Sequence, residues 1–191
     1  MELFEKHKKL IEKATSALHE RGFYTPYPEH FKSYPEQGFE EGKQAFESKL
    51  QSNFTGLDQS KLEGVKWKGF ESSPYTGLNL EISYPTVGVD PLIKSAGAAM
   101  DMWKNVPYKT RVGILAESIE RVEKIYFEMA YATMHTTGQS YIMAFQASGP
   151  HAADRALESL VLAYNELTRF ARNSEWIKPM GKVELHVHKE F

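Results

Sequence analysis

The chain contains no cysteine in its 191 residues. That excludes disulfides, thiolate metal sites and any cysteine nucleophile within it. Long apolar runs are also missing, since no stretch reaches the roughly 20 residues a membrane helix needs. The first residues, Met1-Glu2-Leu3-Phe4-Glu5-Lys6-His7-Lys8-Lys9, are charged where a signal peptide requires an apolar segment. A cytoplasmic location is expected, and the sequon Asn53-Phe54-Thr55 then carries no meaning. Neither sign of charge dominates: 23 Lys and Arg face 25 Asp and Glu, for a net charge of −2. Such a balance argues against a basic nucleic-acid surface and against a charge-driven grip on anionic membranes. Among the 13 glycines no two are separated by a single residue, so G-x-G-x-x-G is impossible. G-K-[ST] and the nucleophile elbow G-x-S-x-G are absent as well.

What is present is ordinary globular usage, 41% hydrophobic and 25% charged, in a length that suits one domain or slightly more. Leu3, Phe4, Leu10, Ile11, Ala14, Ala17 and Leu18 recur at helical spacing, and Gly22 stands where a left-handed cap would stop that helix. Residues 23–37 then hold three prolines and dense aromatics, which predicts an extended segment lying on the domain with its rings tucked in. A binding loop is the sharper alternative for this segment. A short helix is expected near Glu40–Leu50, and residues 56–77 read as irregular. Leu78–Tyr84 alternates apolar and polar and ends at Pro85, the pattern of a strand with one buried face.

From Pro91 onward helices dominate. Asp90 is the expected N-cap, and Leu92, Ile93, Ala96, Ala99, Met100 and Trp103 form a stripe expected to face the core. Val112, Leu115, Ile119, Val122, Tyr126, Met129 and Thr133 predict one long seam from Tyr108 to Gly138. A third helical region is expected to break at Gly149-Pro150 and resume from His151 with Ala153, Leu157, Leu160, Val161 and Tyr164. Val183, Leu185 and Val187 alternate with Glu184, His186 and His188, which reads as a strand whose partner is either the early strand or absent.

Chemistry is sparse in this reading. His186 and His188 share a strand face beside Glu184, but two imidazoles do not complete a tetrahedral metal site, and a solvated face is expected. His135 falls at a helix end, where packing or capping suits it better than catalysis. His151 has no evident partner in sequence. Glu117, Glu120, Arg121, Glu123 and Lys124 read as a solvated charged face. The catalytic, cofactor-binding and metal sites expected within the chain are therefore none.

Tyr75-Thr76-Gly77, Val89-Asp90, Ala98-Ala99-Met100-x-x-Trp103, Pro107, Arg111 with Leu115, and Thr137-Gly138-Gln139 follow one another in an order that resembles the amino-terminal part of the aldehyde dehydrogenase superfamily. His135-Thr136 and Gln139 depart from the Glu-Thr-Gly-Lys turn usual there. Four words resemble the PaaN group of aldehyde-dehydrogenase-like proteins, associated with phenylacetic acid degradation. They are Tyr24-x-Pro26-Tyr27-Pro28-Glu29, Ser73-Pro74-Tyr75, Met134-His135-Thr136-x-Gly138-Gln139 and Met143-Ala144-Phe145-Gln146-Ala147-x-Gly149-Pro150-His151-Ala152. The resemblance implies a mainly α fold with a few β-strands, the helical layer and first strands of an α/β aldehyde dehydrogenase. It divides the chain into a group-specific extension (1–60), the amino-terminal helical part of a cofactor domain (61–181) and the start of an oligomerisation strand (182–191).

It further implies a parent oxidoreductase that uses NAD or NADP on a small aldehyde. The parent would assemble as a homo-oligomer through the Val183, Leu185, Val187 strand. Its catalytic Cys, Glu base and oxyanion Asn match no position here. On that expectation the chain is an amino-terminal portion, inactive alone. The competing expectation is a non-catalytic helical binding or interaction module.

Overall fold

The computed structural model describes residues 2–190. Among them the elements run α1 (Glu2–Glu20), α2 (Gly38–Glu47), β1 (Lys66–Lys68), β2 (Tyr84–Thr86), α3 (Val89–Trp103), α4 (Tyr108–Glu123), α5 (Tyr126–Thr137), α6 (Tyr141–Ser148), α7 (Pro150–Thr168), β3 (Asn173–Met180) and β4 (Val183–Glu190). The mainly helical character with a few strands is as expected.

On α1, Phe4, His7, Ile11 and Ala14 step by three and four residues and are all buried. This stripe packs on α4 and α7. Gly113 sets how closely α1 and α4 approach, because a Cβ there would lie 2.5 Å from the Phe4 nitrogen. The helix stops one residue earlier than Gly22 predicts. Arg21 takes the left-handed conformation (φ 52), and the Gly22 N–H closes the turn onto the Ala17 carbonyl at 2.8 Å. A non-glycine residue in that conformation costs about 1–2 kcal/mol.

The main core joins Phe4 and Ile11 to Val112, Ala116, Tyr126, Phe145, Leu157 and Val161. The Pro- and aromatic-rich segment lies on it: Tyr27 is buried, and the Tyr34 ring meets Tyr126, Phe127 and Phe145 edge-on. Phe23 does not tuck in and is 92% exposed. A second, smaller cluster holds Phe46, Leu80, Ile82 and Tyr131 where α2 crosses α5. Gly42 allows that crossing, and an ion pair between Lys49 and Glu128 bolts its end.

Several expectations change. Leu80 and Ile82 are buried as the alternation requires, but residues 78–83 make only isolated bridges, Asn53 with Ser83 and Ser72 with Asn79. A left-handed Glu81 (φ 54) kinks the segment out of ladder geometry. The regular pairing is β2 with β1, and Pro85 lies inside it opposite Trp67. The long seam is two helices, because the chain turns tightly at Lys124-Ile125, each bonding back three residues. Its buried residues on α4 are Val112, Gly113 and Ala116, while Leu115 and Val122 are open. Gly88 rather than Asp90 is the N-cap of α3, and Asp90 sits in the first turn. The break at Gly149-Pro150 is as expected, with Pro150 opening α7. The strand Val183–Glu190 does have a partner: β3 pairs with it antiparallel across a two-residue turn at Gly181 (φ 65).

The largest departure is α3. Every residue from Val89 to Trp103 is exposed, so its apolar stripe faces away from both cores. No helix among the described residues is long and apolar enough to cross a membrane.

Candidate functional site

Three clusters of polar side chains assemble in the helical part. The first joins Ser73 to His135. Ser73 is 1% exposed, and its Oγ lies 2.7 Å from His135 Nδ1. Two backbone N–H groups, of Tyr75 and Thr76, donate to the same oxygen at 3.2 and 3.3 Å. The His135 ring stacks on Phe46, with centroids 5.1 Å apart. Burial holds the imidazole below its ordinary value, against the pull of the Glu47 charge. A serine beside a histidine invites comparison with a nucleophile and its base. Here the hydroxyl accepts two amide hydrogens and is closed to solvent, so no carbonyl carbon reaches it. The pair fixes the Ser73–Gly77 turn to the end of α5, as the packing role for His135 anticipates.

The second cluster was not visible in the pattern of the sequence. His7, 4% exposed, faces Glu117 through Nε2 at 2.9 Å and Glu120 through Nδ1 at 3.3 Å. Lys6 reaches the same two carboxylates at 2.7 and 3.1 Å, and Arg121 pairs with Glu117 at 2.9 Å. Glu117 is therefore no part of a solvated face. Hydrogen bonds from Lys6, His7 and Arg121 hold its carboxyl down at about 2. His7, Glu117 and Glu120 are close enough to share a metal ion. However, the Lys6 ammonium already bridges the two carboxylates, and Arg121 supplies a second cation. The cluster reads as an ionic clasp between α1 and α4. Its only sequence signal is His7 on the buried stripe of α1.

The third cluster lines a cleft of about 660 Å³ between the end of α1, the 22–29 segment and α7. Thr25 donates to Asp154 Oδ2, while Asp154 Oδ1 is buried with no partner among the described residues. Burial raises the Asp154 carboxyl, partly opposed by the Thr25 hydrogen bond. At the mouth His151 meets Glu29 at 2.6 Å. The Thr25 hydroxyl is tied to Asp154, and the charges lining the cleft are mixed.

On the hairpin, His186 and His188 do not converge. His186 approaches Glu184 at 3.8 Å and His188 approaches Glu175 at 3.4 Å, all four side chains open to solvent.

A dinucleotide also fits poorly. Among the described elements the strand-to-helix turn is β2 to α3, where a pyrophosphate would seek free N–H groups and positive dipole. Asp90 places a carboxylate in that first turn, and Pro91 lacks the N–H.

No protein-family model and no curated protein matches the chain. The chain is, however, similar over its whole length to a crystal structure of an NAD-dependent aldehyde dehydrogenase from Burkholderia multivorans, at 40% sequence identity and a TM-score of 0.92. It spans 34% of that protein's chain. The fold of this chain is thus that of about one third of an aldehyde dehydrogenase.

Proposed function

We propose that this chain is the amino-terminal portion of an NAD(P)-dependent aldehyde dehydrogenase-like oxidoreductase and is catalytically silent by itself. The whole-length similarity to an NAD-dependent aldehyde dehydrogenase carries the reading. Silence follows from composition: with 0 cysteines the chain has no thiolate to attack an aldehyde carbon. The words between Met134 and Ala152 favour the phenylacetic acid degradation group, and so an aromatic-catabolic aldehyde in the cytoplasm as the parent's substrate. The division at residues 60 and 181 belongs to the same reading. So does assembly of the parent into a homo-oligomer through β4, whose Val183 and Leu185 leave apolar surface on an open hairpin. Unpaired strand edges of that kind favour further strand addition.

A chimera tests the reading. This chain replaces the matching third of the Burkholderia multivorans enzyme, and NADH formation from aldehyde is followed by absorbance. An active, soluble chimera is expected, together with no turnover by this chain alone. A chimera that folds but does not oxidise aldehyde counts against the family assignment, and turnover by the isolated chain counts against silence.

A further inference from the structure

Helix α3 has the composition of a buried helix and the exposure of a solvated one. In Val89–Trp103 only Asp90, Lys94 and Asp101 are charged. Val89, Leu92, Ile93, Met100, Met102 and Trp103 all lie open, Ile93 at 65% and Met102 at 75%. A helix that is largely apolar all round is one that other structure surrounds. Gly97 sharpens the point. A Cβ there would meet nothing within 4 Å, so nothing among the described residues uses the missing side chain. Glycine inside a helix costs roughly 1 kcal/mol relative to alanine, and a close neighbour on the Ser95–Ala99 face would give that cost a use.

A second observation lies where α3 hands over to α4. A cleft of about 880 Å³ is lined by Lys104, Val106, Pro107, Arg111, Phe170 and Arg172 among others. Within it the Arg111 Nε is buried and finds no acceptor among the described residues. An orphaned buried donor of this kind calls for an acceptor oxygen, which a carbonyl or carboxylate would supply. Phe170, 77% exposed, gives the same cleft an open apolar wall.

The identity of the occupant follows from the structural likeness. The Burkholderia multivorans chain has this fold over the whole of this chain, and two thirds of its polypeptide lie outside the match. We propose that the α3 face and the adjoining Arg111 cleft form one docking surface, whose occupant is that remaining two thirds of an aldehyde dehydrogenase polypeptide, held there by side-chain packing and not only by chain connection. The proposal rests on the functional reading above and adds to it that the surface also binds the remainder in trans. The occupant presents an apolar face to Leu92, Ile93 and Met100 and an acceptor to Arg111.

The test mixes this chain with the separately produced remaining two thirds of the Burkholderia multivorans enzyme. Association is read by sedimentation, and amide hydrogen exchange is read across residues 89–103. A stable complex is expected, with exchange in that segment slowed roughly tenfold or more. Ile93→Asp is expected to weaken association roughly tenfold or more, because a carboxylate would be buried against apolar surface. The same substitution leaves the melting of the isolated chain unchanged, since Ile93 is exposed there. Exchange across 89–103 is measured in the active chimera as well, in case the separate remainder does not fold. Protection of other segments with 89–103 left fast, in both the mixture and the chimera, overturns the docking surface. An active chimera with a protected 89–103 but no association in trans overturns the claim of binding without connection. Inactivity of a folded chimera instead removes the family reading beneath both.

Discussion

Helices α3 and α4 stand next to each other in the chain and have opposite fates. Each carries an apolar stripe at helical spacing. On α4, Val112 and Ala116 are buried against α1 and α7, with Gly113 letting the α1 backbone approach. On α3, Leu92, Ile93, Met100 and Trp103 face open space. A stripe records that a helix has a face to bury; it does not record where the covering surface comes from. The hairpin of β3 and β4 repeats the lesson, since Trp176, Ile177, Val183 and Leu185 are paired by backbone yet uncovered on their faces.

The comparison breaks most visibly with large-to-small substitutions. Phe145→Ala in the main core is expected to lower the unfolding free energy by about 3–5 kcal/mol in urea titrations. Ile93→Ala on α3 is expected to change it by less than about 0.5 kcal/mol. A cost at Ile93 comparable to that at Phe145 would mean α3 is covered in the isolated chain.

Glycine gives a second, sharper pair. Gly113→Ala is expected to cost about 1–3 kcal/mol, because the new methyl meets the Phe4 and Leu3 backbone, which cannot step aside cheaply. Gly97→Ala meets nothing and is expected to add about 0.5–1 kcal/mol through helix propensity. Equal signs at the two positions would erase the distinction between the regions.

Acid titration probes the clasp between α1 and α4 and the Ser73–His135 pair. The Glu117 carboxyl is held at about 2, below its ordinary 4.5, so its contribution is complete above 4.5 and lost as pH falls toward 2. The urea midpoint of Glu117→Gln should therefore fall less than that of the parent chain across this window. His135 is held below its ordinary 6.5 by burial, so the neutral ring contributes fully above 6.5, and that contribution is lost as pH falls below it. His135→Gln, measured from pH 7 downward, should flatten that part of the profile. The smallest effect is expected at Lys61→Ala, which removes a solvent-exposed pair with Asp58 and should leave the urea midpoint essentially unmoved.

Much of the helical framework was legible from residue spacing. Phe4, Ile11 and Ala14 on α1, and Ala153, Leu157, Leu160 and Val161 on α7, are buried as their periodicity requires. Strand structure was less so. Leu78–Tyr84 has the right alternation, but the left-handed Glu81 diverts it. Asn173–Met180 lacks a clear alternation because every one of its residues is exposed, so neither face needs to be apolar. The ionic clasp of His7, Lys6, Glu117 and Glu120 was hidden because its partners lie more than a hundred residues apart.

By itself the sequence determined that no thiol chemistry resides in this chain, that helices predominate, and which side of each helix seeks an apolar neighbour. Those properties follow from side-chain inventory and from periods of 3.6 residues, both local. Only the tertiary structure decided which of those sides are satisfied within the chain. Burial is a property of two surfaces meeting, and among the described residues none meets the apolar face of α3.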